Sequence, residues 1–169
     1  MQRGRRRRPR YHWDTCCFIA LMNREDTTDE IVLLALRQTF HDMLFGEVEV
    51  TTSAMLISEL LIPDPDKATL ERQLEACPYF DMVDTHQAVH RLAADIRKHC
   101  RDQGVAVPKT PDAIHIASAI LARVDEMWTT DKGLIGLAER GVITEVPIVR
   151  PHVTQLKLDL WDWSGGLDV

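Results

Sequence analysis

Four carboxylates far apart in sequence have settings that point to chemistry: Asp14 in WDT, Glu59 in ISEL, Asp112 in TPDAIHIA and Asp131 in TTDKGL. Carboxylate oxygens are hard donors suited to Mg2+ or Mn2+, and several turned into one cleft repel one another until such an ion offsets their charge. A metal held this way orients a water, helps make it nucleophilic, and stabilises charge on an attacked phosphate and its leaving oxygen. That chemistry needs no histidine base, and the sequence offers no convincing one. Each acid also has a plain structural explanation. Asp14 could end a strand, Glu59 could pair with a base at a helix boundary, Asp112 could serve a first helical turn, and Asp131 could cap the helix that begins at KGL.

The elements that must position these acids follow from periodicity. RYHWD (10–14) reads as a strand ending on Asp14, followed by an apolar turn or helix, TCCFIALM. REDTTDE opens a helix through IVLLALRQTF, and EVEVTT alternates at period two as a strand. Ser53 is placed to cap a helix AMLISELLI, which Pro63 and Pro65 would terminate. An unpaired carboxylate at Glu59 inside that apolar helix is costly, so a cation or a hydrogen-bonding group should accompany it. A polar helix, KATLERQLEAC, runs to Pro78, and FDMVD forms a strand. THQAVHRLAADIRKHC carries Ala88, Val89, Leu92, Ala93, Ile96 and Cys100 on one helical stripe.

The strongest helix signal takes Thr110 as N-cap and Pro111 as the first helical residue before DAIHIASAILARV. EMWTT then reads as a strand, KGLIGLAERG as a helix ended by Gly141, and VITEVPIV as a final strand. Strands alternating with helices imply an α/β fold with a central, mostly parallel sheet covered on both faces. Ligands bind such sheets at the carboxyl ends of the strands, where Asp14 and Asp131 both fall.

At 169 residues and 45% apolar composition, the chain fits one compact domain. Its apolar runs are too short or too interrupted to span a bilayer, and an early Asp spoils a secretory signal, so a cytoplasmic location is expected. Cys16, Cys17, Cys77 and Cys100 show no C-x-x-C or zinc-knuckle spacing and read as ordinary thiols.

The net charge of −6 conceals an asymmetry. Residues 1–10 hold six arginines and no acid, so the remainder sets 14 lysines and arginines against 26 acids. Such a leader attracts nucleic acid non-specifically or has no role in the fold, whereas the acidic body repels nucleic acid unless its carboxylates are neutralised. His115 is assigned a structural or substrate-contacting role rather than metal ligation. His86, His90 and His99 fall on a largely surface helix, where Arg91, Arg97, Lys98 and Arg101 form either an RNA-facing patch or an ordinary solvated face. Phosphate-loop, dinucleotide-turn and G-x-S-x-G motifs are absent, which narrows the chemistry towards metal-assisted phosphodiester cleavage.

Taken together, the acidic motifs resemble those of the PIN-domain ribonuclease family, especially its small VapC-like toxins. Asp14 and Thr15 match the opening D-[ST] motif, and SAMLISEL matches the helix that presents a glutamate, here Glu59. PDAIHIASAI matches a D-A-x-x-x-A-x-A segment at Asp112, and TTDKGL matches a T-x-D motif at Thr129 and Asp131, 19 residues on. The resemblance spans about residues 11–149. It implies a PIN-like α/β/α sandwich and Mg2+- or Mn2+-dependent endoribonuclease activity on RNA. It further implies a homodimer restrained by a small cognate antitoxin.

Asp14, Glu59 and Asp112 would lead the metal site and Asp131 would complete it, with Thr15 and Thr129 supporting ligands, water or phosphate. A solitary nuclease of RNA processing or DNA repair and a catalytically silent RNA- or protein-binding PIN domain are the alternatives. Two segments depart from a minimal member. One is the basic leader, 1–10. The other is an extension, 150–169, packed on the domain or on a partner, with Trp161 and Trp163 as candidate anchors.

Overall fold

The computed structural model describes residues 7–22, 29–60 and 65–153, with the backbone alone at 65–68. The arginines before residue 7, Pro63, and the tail with Trp161 and Trp163 lie outside the described residues. The chain runs β1 (Arg10–Trp13), α1 (Thr15–Met22), α2 (Glu30–Leu44), β2 (Glu49–Ser53), α3 (Met55–Glu59) and α4 (Pro65–Ala76). It continues through β3 (Phe80–Val83), α5 (Gln87–Asp102), α6 (Thr110–Leu121), β4 (Glu126–Trp128), α7 (Lys132–Glu139) and β5 (Ile148–Val149).

The five described strands form one sheet in the order β3-β2-β1-β4-β5, every pair parallel. Strand β1 is therefore central, and the order of strands reverses direction between β1 and β4. Side-chain alternation sends Tyr11, Trp13, Val50 and Trp128 into a core shared with Leu36, Phe40 and Leu56 of α2 and α3. Met127 and Ile148 enter a second core with Val89, Ile96, Ile116 and Leu134 from α5, α6 and α7. Helices cover both faces, which is the α/β/α arrangement expected from the alternation of elements.

Several element ends differ from the expectation. The helix expected over 54–62 is the short α3, with Ala54 at its N-cap; Ser53 closes β2, and its hydroxyl accepts from Met55 N at 3.2 Å. At Leu60 the backbone leaves the helical region (φ −121°) and the side chain is buried. Pro65 begins α4 rather than stopping α3, its lost N–H costing nothing in a first turn. Helix α6 starts one residue early, with Lys109 at the N-cap in place of Thr110, because Asp112 Oδ2 accepts from Lys109 N at 3.1 Å. The last strand shrinks to Ile148–Val149. Gly141 ends α7 with φ +69°, and Pro147 contributes only its carbonyl, accepting from Met127 N.

Trp13 anchors the middle of this frame. It is fully buried, with its ring 5.3 Å from Phe18 and stacked 6.3 Å from Trp128. Trp13→Ala is expected to cost about 3–5 kcal/mol of folding stability, read by denaturant unfolding. A loss below about 1 kcal/mol would mean that the two aromatic neighbours close the gap.

Candidate active site

Asp14 directly follows β1, and its N–H donates to Trp128 O at 3.0 Å, so the sheet's own ladder carries the backbone to this point. On the neighbouring strand end, Thr129 is fully buried and donates from Oγ1 to Asp14 Oδ2 at 2.8 Å. The same hydroxyl accepts from Asp131 N at 3.0 Å, and Asp131 Oδ1 accepts from Gly133 N and Leu134 N at the start of α7. One threonine thus couples two of the predicted acids, while Asp131 also performs the capping role that its sequence position allowed.

Glu59 is the last residue of α3, not an interior one. It is exposed, as are Ile57 and Ser58 before it, so the burial cost expected for an acid inside an apolar helix does not arise; Thr15 Oγ1 donates to its Oε2 at 2.5 Å. His115 approaches from α6 below. Its Nε2 lies 3.2 Å from Thr15 Oγ1, 3.5 Å from Glu59 Oε2 and 3.8 Å from Asp14 Oδ1. Hydrogen bonding from His115 and then from Thr15 lowers the Glu59 carboxyl from its ordinary pKa, although partial burial opposes them.

Asp112, on the first turn of α6, shows the opposite shift. Burial raises its pKa, the negative charges of Asp14 and Asp131 raise it further, and its hydrogen bond to the Lys109 backbone opposes them. The charges of Asp14 and Asp131, which follow β1 and β4, thus reach Asp112 on α6 at the place where the sheet's order reverses and ligands bind α/β sheets. Among the described residues, no group of three or more His, Cys, Asp and Glu side chains is placed so that it could hold a metal ion. The oxygens of the four acids are nevertheless carboxylates, the donor type that hard divalent cations take, and the negative charge acting on Asp112 is what such an ion would offset.

Two participants were not singled out in the sequence, His12 and Cys16. His12, fully buried on β1, contacts His115 Nδ1 through Nε2 at 3.2 Å and Thr51 Oγ1 through Nδ1 at 3.0 Å. Burial, the adjacent His115 and Arg10 hold the His12 pKa well below its ordinary value, so its ring is neutral. Cys16 Sγ donates to Asp14 Oδ2 at 3.3 Å and accepts from Thr130 N at the same distance. The signal for His12 was its position two residues before Asp14, on the same face of a strand. Cys16 carried no comparable signal. It also lines a cavity of about 270 Å³ with Ile19, Ala20, Val32, Thr130 and Arg150, next to Asp14.

Fold and strand order together define an α/β protein with Asp14, Thr129 and Asp131 hydrogen-bonded in series at its topological switch point. A family model described as PIN domain matches residues 11–140, and the chain belongs to that family, whose members are generally nucleases. No curated protein matches the sequence.

Among solved structures, the chain is similar to VapBC2 of Rickettsia felis, crystallised with a DNA fragment from its promoter, at 13% identity and TM-score 0.58. That match covers 83% of this chain and 98% of the other. FitAcB of Neisseria gonorrhoeae is similar at 19% identity and TM-score 0.58, over 83% of this chain and 97% of that one. A toxin–antitoxin complex from Klebsiella pneumoniae is similar at 20% identity and TM-score 0.57, over 84% and 98%. Likenesses at these identities establish the shared fold.

The Asp112 environment gives a stability prediction. A carboxyl whose folded pKa lies above its unfolded value costs stability as pH rises through that interval and the group ionises. Asp112→Asn keeps an acceptor for Lys109 N and removes the charge, so the variant should melt above the wild type at pH 7. The difference should close in acid, where wild-type Asp112 is protonated. A variant that melts lower at neutral pH would show that the capping bond outweighs the repulsion.

Proposed function

We propose that this protein is a divalent-metal-dependent endoribonuclease and the toxin of a toxin–antitoxin pair. The main support is the gathering of Asp14, Asp112 and Asp131 into one electrostatic neighbourhood at the strand ends, with Glu59 brought beside Asp14 through Thr15 and His115. Asp14, Glu59, Asp112 and Asp131 would hold Mg2+ or Mn2+, which when bound supplies Lewis acidity towards phosphate oxygens and an activated water. Thr129 and Cys16 restrain Asp14 by hydrogen bonds, and Thr15 restrains Glu59, so two acids enter the reaction with their oxygens already directed.

The acidic body favours RNA segments whose backbone reaches the cleft without a long duplex beside it, that is, exposed single-stranded or looped regions. Arginines outside the cleft and a second copy of the chain would supply phosphate contacts. The toxin–antitoxin complex among the structural relatives supports an antitoxin as the restraining partner, and action in the cytoplasm belongs to the same proposal. Among the described residues no helix is long and apolar enough to cross a membrane.

The test incubates purified, antitoxin-free protein with a mixed RNA pool and Mg2+ or Mn2+, beside EDTA and Asp14→Asn controls. Cleavage should vanish with EDTA and fall by at least about 10²-fold in the variant. Folded protein that cuts nothing with either metal across diverse RNA would overturn the catalytic reading and favour a silent binding domain.

A further inference from the structure

A polar line leads out of the core to the carboxylates: buried Thr51, His12, His115 and Thr15, then exposed Glu59; the proposed chemistry leaves Thr51 and His12 unused. Thr51 and His12 are fully buried and His115 is 1% exposed, so water is not there to satisfy their polar atoms. The sheet register pairs His12 with Thr51, which places both side chains on the α6 face of adjacent strands.

Two ring nitrogens, His12 Nε2 and His115 Nδ1, face each other at 3.2 Å. One must donate and the other accept. Suppose that a neutral His115 donated from Nδ1. Its Nε2 would then turn a bare lone pair towards Glu59 Oε2 and Asp14 Oδ1, and towards Thr15 Oγ1, whose single hydrogen already goes to Glu59. That arrangement leaves a buried Nε2, which bulk water does not reach, facing acceptors with no hydrogen to receive.

The reverse order satisfies every atom. Thr51 donates to His12 Nδ1, His12 Nε2–H donates to His115 Nδ1, and His115 Nε2–H donates towards Thr15 Oγ1 and Glu59. A doubly protonated His115 would donate from Nδ1 to His12 and still present Nε2–H to the carboxylates.

We infer that His12 is a positioning residue, which fixes the ring of His115 so that Nε2–H always faces Thr15 and Glu59 and holds the Glu59 carboxylate ready for metal. The hydrogen-bond order stands on geometry alone, and its consequence for metal rests on the nuclease reading above. Outer hydrogen bonds of this kind typically alter metal affinity by about 10–100-fold when removed. His12→Phe fills the space and removes both bonds, leaving His115 Nδ1 without a partner. His12→Gln retains a donor near the position of Nε2.

The experiment combines ring-nitrogen NMR of the histidines with direct titration of Mn2+ followed by electron paramagnetic resonance, and neither depends on RNA cleavage. In the wild type, His115 should carry hydrogen on Nε2. In His12→Phe, folded by circular dichroism, the carboxylates keep hydrogen on Nε2 but the ring loses its partner at Nδ1, and Mn2+ binding should weaken by about tenfold or more, with His12→Gln within about threefold of wild type. A wild-type His115 with bare Nε2, or a folded Phe variant that keeps the wild-type Mn2+ midpoint, overturns the inference. Should the Phe variant not fold, the wild-type spectrum decides. The predicted tautomer and Mn2+ shift without any RNA cleavage would support the positioning role and count against the nuclease reading alone.

Discussion

The hydrogen bond from Thr129 Oγ1 to Asp14 Oδ2 joins residues 115 positions apart and closes the gap between the two strands at which the sheet's order reverses. Its geometry follows from the parallel pairing of β1 with β4, which brings the two strand ends level and lets Asp14 N reach Trp128 O. With that register set, Asp131 follows Thr129 into the cleft and α7 begins on Asp131. A shift of one residue would turn His12 and Asp14 into the apolar face and Trp13 out of it. The aromatic contacts of Trp13 with Phe18 and Trp128 therefore protect the acidic site as well as the core.

Charges are held here against their own preference. Burial first, and then the charges of Asp14 and Asp131, raise the pKa of Asp112 rather than stabilising the fold. The protein opposes that cost with hydroxyls and backbone N–H groups, at Thr129 for Asp14, Lys109 for Asp112 and the α7 terminus for Asp131. Neutral donors orient a carboxylate while leaving its charge in place for a cation, whereas an arginine would neutralise it.

Much of the architecture was legible because each strand ended on a change in hydrophobic period and the α5 and α6 stripes were long. The four acids were legible only as a set. Boundaries failed where a side chain overrode the local signal, as when Asp112 reached back to Lys109 and moved the helix start past Thr110. His12 was hidden for a different reason. A histidine flanked by Tyr11 and Trp13 reads as part of a buried strand, and nothing local shows that its face meets His115, 103 residues later. Cys16 likewise gains its neighbours Asp14 and Thr130 only through the turn into α1 and the pairing of β4.

Because β1 is central, its two neighbours arrive at very different times during synthesis. Strand β2 follows within about forty residues, but β4 and Thr129 come only after α6 has been made. A growing chain therefore carries Asp14 for most of its length without the hydroxyl that orients it or the acid that stands beside it. The Thr129–Asp14 bond is a property of the nearly finished fold, so an incomplete chain still attached to its ribosome holds the parts of this site without their arrangement.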